Sequence, residues 1–217
     1  MSKKELVKRY ILFIIGLFFS GLGVAAAKHG ALGVTPISSI PNILSIRFTN
    51  ITIGTFLMIC NCLMLIGQII ILRKNFKVVN VLQIPLSFLF GWFTDFGLFI
   101  ATHIIPNDIY IWRFICVILG ILLLGFGIAL QVVADTILNS GEAFVKAISD
   151  TIHKEFGNVK VVFDVVNVLT AILLSFIFFG TVKGTREGTI IAALTLGFVV
   201  KFITPRIKPA LLKILKD

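Results

Sequence analysis

Charged side chains are scarce in this chain, acids most of all. Asp and Glu number ten among 217 residues against twenty Lys and Arg, and charged residues make up 14% of the sequence. Soluble domains carry about 25%. That deficit excludes an ordinary solvated domain. Cysteine is nearly missing. Cys60, Cys62 and Cys116 all fall inside apolar runs. A Cys-x-Cys pair on one helix points two ways, and no His or carboxylate stands beside it. These are expected to be small packing residues, with no disulfide framework and no metal site. His29, His103 and His153 lie far apart, and no HExxH, GxSxG or phosphate-binding Gly-x4-Gly-Lys motif occurs. These absences argue against an enzyme, a cofactor and the use of nucleotide.

What fills the chain is apolar. Hydrophobic residues make up 58%, and the mean hydropathy is +1.05. Long runs without period-two alternation predict membrane-spanning helices. The net charge of +10 would point to nucleic acid in a soluble protein. Here it marks basic loops, so no nucleic-acid partner is expected. Lys3, Lys4, Lys8 and Arg9 before an apolar core, then Ala25–Ala27, imitate a signal peptide. Recurrence of the same pattern later in the chain argues against cleavage.

Spans of about 20 residues are predicted at 10–28, 51–72, 79–100, 110–131, 161–181 and 187–204. Two stretches are too broken to join them. In 30–50, Gly30, Gly33, Pro36 and Pro41 interrupt, and Ser38, Ser39, Asn42 and Ser45 intrude. The second runs from 134 to 156, with Asn139, Ser140, Glu142, Lys146 and Asp150. If both crossed the membrane there would be eight spans, and the basic loop RKNFK (73–77) would face away from the N-terminus. If both are re-entrant or interfacial there are six. The termini, RKNFK and the charged 134–156 stretch then share the cytoplasmic side, as the positive-inside rule favours. Six spans plus two re-entrant segments is the expected all-α polytopic fold, a single membrane domain over 1–217. A basic tail at 205–217 reads as an interfacial helix, with Ile207, Leu211, Ile214 and Leu215 on one face and Lys208, Lys213 and Lys216 largely elsewhere.

An internal repeat underlies the order. Gly16, Gly21, Gly23 and Ala25 recur as Gly120, Gly125, Gly127 and Ala129, 104 residues on. With small gaps, Asn61 aligns with Asn167 and Gly91 with Gly197. Each half, 10–100 and 110–204, reads span, broken segment, span, span. Three crossings per half give the halves opposite orientation, the inverted repeat of many secondary transporters.

The blocks ALGVTPISSIPNILS, GTFLMICNCLMLIGQIIILRKNFK and LQIPLSFLFGWFTDFG resemble the YczE/YyaS/YitT group of bacterial membrane proteins. SGEAFVKAIS, VKVVFDVVNV and REGTIIAALTLG resemble the group's later blocks, so the likeness covers roughly residues 10–205. It implies a multi-pass protein of the bacterial cell membrane and no particular activity. Where the group often has Asp or Pro near the last span's Gly, this chain has Gly197-Phe198-Val199-Val200-Lys201.

Polar residues inside membrane segments are the candidate site. The expected solute-binding set is Ser38, Ser39, Asn42, Asn61, Gln83, Asn139, Glu142 and Asn167. Asn139 or Ser140 is the expected cap of a helix over 141–156, whose free N-terminal N–H groups suit an anion. Glu142 there competes with an anion, or serves as a proton or cation site. Asp95, Asp164 and Arg186 are expected coupling or gating residues. Asp95 is expected to pair with Arg113 or Arg47, and Asp164 with Lys160. Glu187 and Thr189 read as caps. The favoured function is alternating-access transport of a small polar or anionic organic solute. Two alternatives stand. One is the substrate-binding subunit of a multi-component ATP-driven importer, its partner docked on Gly21, Gly23, Ala25 and Ala27. The other is a channel. The expected partners are the bilayer and the solute, with a homodimer open.

Overall fold

The computed structural model describes residues 2–216, apart from the side chain of Lys216, so Met1 and Asp217 lie outside the described residues, as does Lys216 in the expected basic face of the tail. Every long element is helical. The helices are α1 (Lys3–Gly30), α2 (Pro36–Arg47), α3 (Ile53–Leu72), α4 (Gln83–Ile104), α5 (Tyr110–Ala134), α6 (Ser140–Ile152), α7 (Phe156–Phe179) and α8 (Glu187–Lys216). Six are long and apolar enough to cross a membrane: α1, α3, α4, α5, α7 and α8. The other two, with 12 and 13 residues, are about 18–20 Å long. That is short of the roughly 30 Å hydrocarbon core. They are the two interrupted stretches of the sequence. The second is shorter than expected, because His153 adopts a left-handed conformation and ends it before α7 begins.

The centre is a backbone-to-backbone crossing of α1 and α5. A methyl group added at Gly23 would lie 2.5 Å from the Leu124 nitrogen, and one at Gly120 would lie 2.7 Å from the Gly23 carbonyl. Gly16 and Gly127 meet in the same reciprocal way, each within 2.7 Å of the other's carbonyl oxygen by that measure. Between membrane helices no solvent drives apolar faces together, so close packing over small residues does the work. Polar contacts then lock the crossing. Gln131 donates to Ser20 Oγ at 2.9 Å. Buried Arg9 donates to the Ala134 carbonyl at the C-terminal end of α5, at 3.0 Å, and pairs with Glu5.

The other helices attach to this pair. α4 packs on α1, and α8 on α5. The Gly21 position faces Phe93 of α4, and the Gly125 position faces Val199 of α8. The short helices reach across: α2 packs on α7, and α6 on α3. The pattern breaks at one place. α3 and α4 form an interface, with Gly54 against the Gly91 backbone, whereas α7 and α8 stand apart. A side chain added at Gly197 would meet nothing within 4 Å. Gly21, Gly23, Ala25 and Ala27, the expected docking face for a partner helix, are all buried inside the chain, so that face is not free.

Lys8 Nζ donates to the Ile214 carbonyl, so the two ends of the chain meet at one end of the bundle, here the terminal end. The tail continues α8 without a break at Pro205 or Pro209, and Leu215, Ile207 and Leu211 join the core formed by α1. Just before Pro205, Thr204 Oγ1 donates back to the Val200 carbonyl one turn earlier. Lys201 is exposed on α8, about 21 Å along the helix from Glu187 at 1.5 Å per residue. With α8 entering the bilayer at Glu187, that depth falls within the roughly 30 Å hydrocarbon core, where an unpaired cation is unfavourable, most of all at the centre.

The two kinds of glycine make opposite predictions. Gly23→Ala should lower the stability of the detergent-solubilised protein by about 1–3 kcal/mol through overpacking. Gly197→Ala should raise it by up to about 1 kcal/mol, from helix propensity alone. Thermal melts of both variants check the signs.

Candidate functional site

The short helices begin deep in the protein and start toward each other. Pro36 opens α2 after Thr35, whose extended backbone suits a helix entrance. Thr35 does not cap the backbone; its hydroxyl donates to Ser38 Oγ, and Ser39 Oγ donates to the Thr35 carbonyl. Asn139 caps α6, accepting from the Ser140 nitrogen at 2.9 Å. The two starts meet: the Gly141 position lies against Ile37 Cδ1, with the Met64 sulfur next to it. Ser38, Ser39, Ser140 and Gly141 are buried around that contact. Helix N-termini carry positive partial charge, so two of them converge on one spot.

Asn61 sits one turn from Met64 on the buried face of α3. It is 6% exposed, and its Nδ2 has no hydrogen-bond partner. A buried amide N–H left unpaired costs about 1–3 kcal/mol, so this group is either strained or reserved for something else. Asn167 is also buried, with Nδ2 donating to the Phe163 carbonyl at 2.8 Å.

Two polar clusters flank the meeting point. Toward the terminal end, Gln68 Nε2 donates to Gln83 Oε1 at 3.0 Å and to the Ser140 carbonyl at 3.1 Å, while the hydroxyls of Ser87 and Ser140 lie 3.4 Å apart. A cavity of about 10 Å³ adjoins Gln83, Asn139 and Ser140, enough for one water. Toward the opposite end, Lys28 Nζ donates to Asn42 Oδ1 at 3.0 Å and to Ser45 Oγ at 2.7 Å. Asn42 Nδ2 donates in turn to the Gly184 carbonyl at 2.9 Å. Among the described residues no carboxylate lies within 4.0 Å of the Lys28 ammonium, so one of its three N–H groups is left over.

The eight expected solute-binding residues therefore fall into four groups. Gln83 and Asn139 border the terminal-end cluster. Ser38, Ser39 and Asn42 share α2, with Asn42 reaching the opposite cluster. Asn61 and Asn167 face inward from α3 and α7. Glu142 stands with the Lys160–Asp164 ion pair on α7. Burial pushes its carboxyl above the usual range; Lys160 works against that rise and Asp164 adds to it.

The expected gating residues do not converge. Asp95 pairs with neither Arg113 nor Arg47. It accepts from Thr52 Oγ1 at 2.6 Å and from the Gly54 nitrogen at 2.9 Å, because the start of α3 offers free N–H groups beside it. Arg113 donates to the Asn107 carbonyl, and Arg47 lies over Phe48 and Phe178. Arg186 is taken up by its exposed neighbour Glu187. Thr189 does not cap α8; its buried hydroxyl has no partner.

Sequence reasoning passed over Gln68 and Lys28. Gln68 was findable, because it lies seven residues after Asn61 and so shares its helix face. Lys28 carried no signal, since a lysine at a span's end ordinarily reaches for the interface.

Similarity to known proteins adds no activity. Over 122 residues the chain is 25% identical to the uncharacterized protein YyaS of Bacillus subtilis (strain 168), covering 56% of this chain and 59% of that protein. The chain thus spans less than two thirds of that relative. No solved structure matches. A family model matches residues 7–205, and the chain belongs to that family of unknown function, DUF6198.

Proposed function

We propose that this protein is a secondary transporter of a small polar or anionic organic solute, built from two inverted repeats and working by alternating access. The observation that carries the reading is the meeting of two half-length helix starts, Ile37 against Gly141, at positions 104 residues apart. Helix breaks whose N-termini point into the bundle are where carriers hold anionic groups. Lys28, without a carboxylate partner, and the unpaired Nδ2 of Asn61 supply further donors.

The helix pairings support the inverted repeat. Gly16–Gly127 and Gly23–Gly120 exchange roles under it, as do Gly21–Phe93 and Gly125–Val199. Fifteen of the twenty Lys and Arg lie toward the terminal end, a bias that favours a cytoplasmic side for that end. The break in the pattern supports alternation. α3 and α4 are closed over Gly54 and Gly91, and their counterparts α7 and α8 are apart. Exchanging the two arrangements would close one side and open the other. The importer-subunit reading loses its docking face to α4 and α5.

A thermal-shift screen of the purified chain against polar and anionic metabolites tests the binding. A ligand at a hundred times its Kd should stabilise by about 2.7 kcal/mol. Asn61→Ala and Asn167→Ala should melt cooperatively but lose the ligand shift; full retention in both would remove the site. Exchange is tested by Lys160→Cys with Gly197→Cys, in a background lacking the three native cysteines. Their α carbons correspond to those of Gly54 and Gly91, so they should cross-link in membranes only when α7 and α8 close. Absence of any cross-link under oxidising conditions would remove the alternation.

Glu142 gives a pH prediction. Its folded pKa lies above the ordinary carboxylate value, so the proton is held more tightly in the native state. Its contribution is full below about pH 4.3 and is lost as pH rises through the folded value. Glu142→Gln should therefore flatten the fall in Tm on raising pH, and an unchanged slope would refute the assignment.

A further inference from the structure

The terminal-end half of α8 carries an unusual surface. Between Glu187 and Asp217 the chain has five cations, Lys201, Arg206, Lys208, Lys213 and Lys216, and no acid. Two of them border an open groove of about 720 Å³ between α5 and α8, walled by Leu122, Phe198, Val199, Phe202 and Ile203. The Arg206 guanidinium lies 3.4 Å from the centre of the Phe202 ring, and its Nη1 donates to the Phe202 carbonyl. That posture leaves other N–H groups of the fork for an acceptor. Lys201 makes no hydrogen bond or ion pair among the described residues, although its depth in the bilayer makes an unpaired cation costly.

We propose that this groove binds one anionic glycerophospholipid, with its phosphate between Lys201 and Arg206 and an acyl chain along Leu122, Phe198 and Phe202. The apolar walls suit a hydrocarbon chain, and the two cations suit a phosphate drawn slightly below the interface. Arginine in particular matches phosphate geometry. A second copy of the chain fits less well. A twofold contact through this face would set Lys201 and Arg206 against the same charges.

The test uses the full chain in dodecyl maltoside, titrated with dioleoylphosphatidylglycerol or dioleoylphosphatidylcholine in mixed micelles, and reads Tm together with lipid retained in native mass spectra. The anionic lipid should reach half-saturation at about tenfold lower concentration. Lys201→Gln with Arg206→Gln should erase that preference. Lys208→Gln with Lys213→Gln, which removes the same charge outside the groove, should keep it. Equal half-saturation by the two lipids overturns the proposal, as does loss of preference in the control pair. Inorganic phosphate reproducing the shift would overturn the lipid assignment. Leu122→Trp, which fills the groove without touching charge, should weaken both lipids; unchanged binding would overturn the site even if the double variant fails to fold.

Discussion

The contact of α1 with α5 is the constraint on which the other packing depends. In a bilayer a leucine gains little by leaving lipid for protein, so helices associate through close packing and hydrogen bonds. Gly16, Gly23, Gly120 and Gly127 let two backbones touch, and the small separation brings Gln131 within reach of Ser20. A larger residue at any of the four would move the axes apart and carry the attached helices with it. α4 hangs on one partner and α8 on the other. The short helices reach across the chain: α2 is the main partner of α7, and α6 packs on α3 beside the larger α3–α4 interface.

That crosswise attachment accounts for the short helices. Non-helical backbone at membrane depth survives only where protein satisfies its polar groups. The turn before α2 is buried at Leu32, Val34 and Thr35, and the Leu32 carbonyl accepts from the Gly188 nitrogen of α8 at 2.9 Å. Gly33, at φ +120, permits the turn, and its position lies against Thr189. The turn before α6 is covered by α1 and α3, where Gln68 reaches the Ser140 carbonyl. Each break is therefore sealed by a helix distant in sequence, and the two seals differ in chemistry.

Much of this was legible beforehand. Six apolar runs gave six long helices, because nothing else satisfies a backbone in lipid. Pro36 and Pro41 with Gly33 marked α2 as a broken segment, and Asn139 marked the start of α6. Side-chain pairing was harder to read. Asp95 was expected to find an arginine, since opposite charges attract; it found the N-terminus of α3, which is nearer and cannot move away. Arg186 was spent on the adjacent Glu187. Charge sign alone does not tell which donor the fold delivers first. The tail was read as separate at Pro205, yet helical φ suits proline and the apolar face of the tail had α1 to pack on.

The difference between the halves bears on how the proposed carrier would move. An element that moves must be joined weakly to whatever it leaves, and strongly to whatever it carries. The α1–α5 crossing is extensive and locked by hydrogen bonds, so it suits a fixed axis. The α3–α4 contact runs over two glycines and is held by the cap that Asp95 provides and by the buried Gln68–Gln83 hydrogen bonds, so separation would have to break these polar contacts. α7 and α8 have no such contact to break. A two-state cycle needs states within a few kcal/mol of each other, so closure of α7 on α8 would have to replace the contacts that α3 and α4 give up. Under the proposed repeat Lys160 corresponds to Gly54, so closure of α7 on α8 would require its side chain to turn aside. The Lys160–Asp164 ion pair would have to rearrange in that movement.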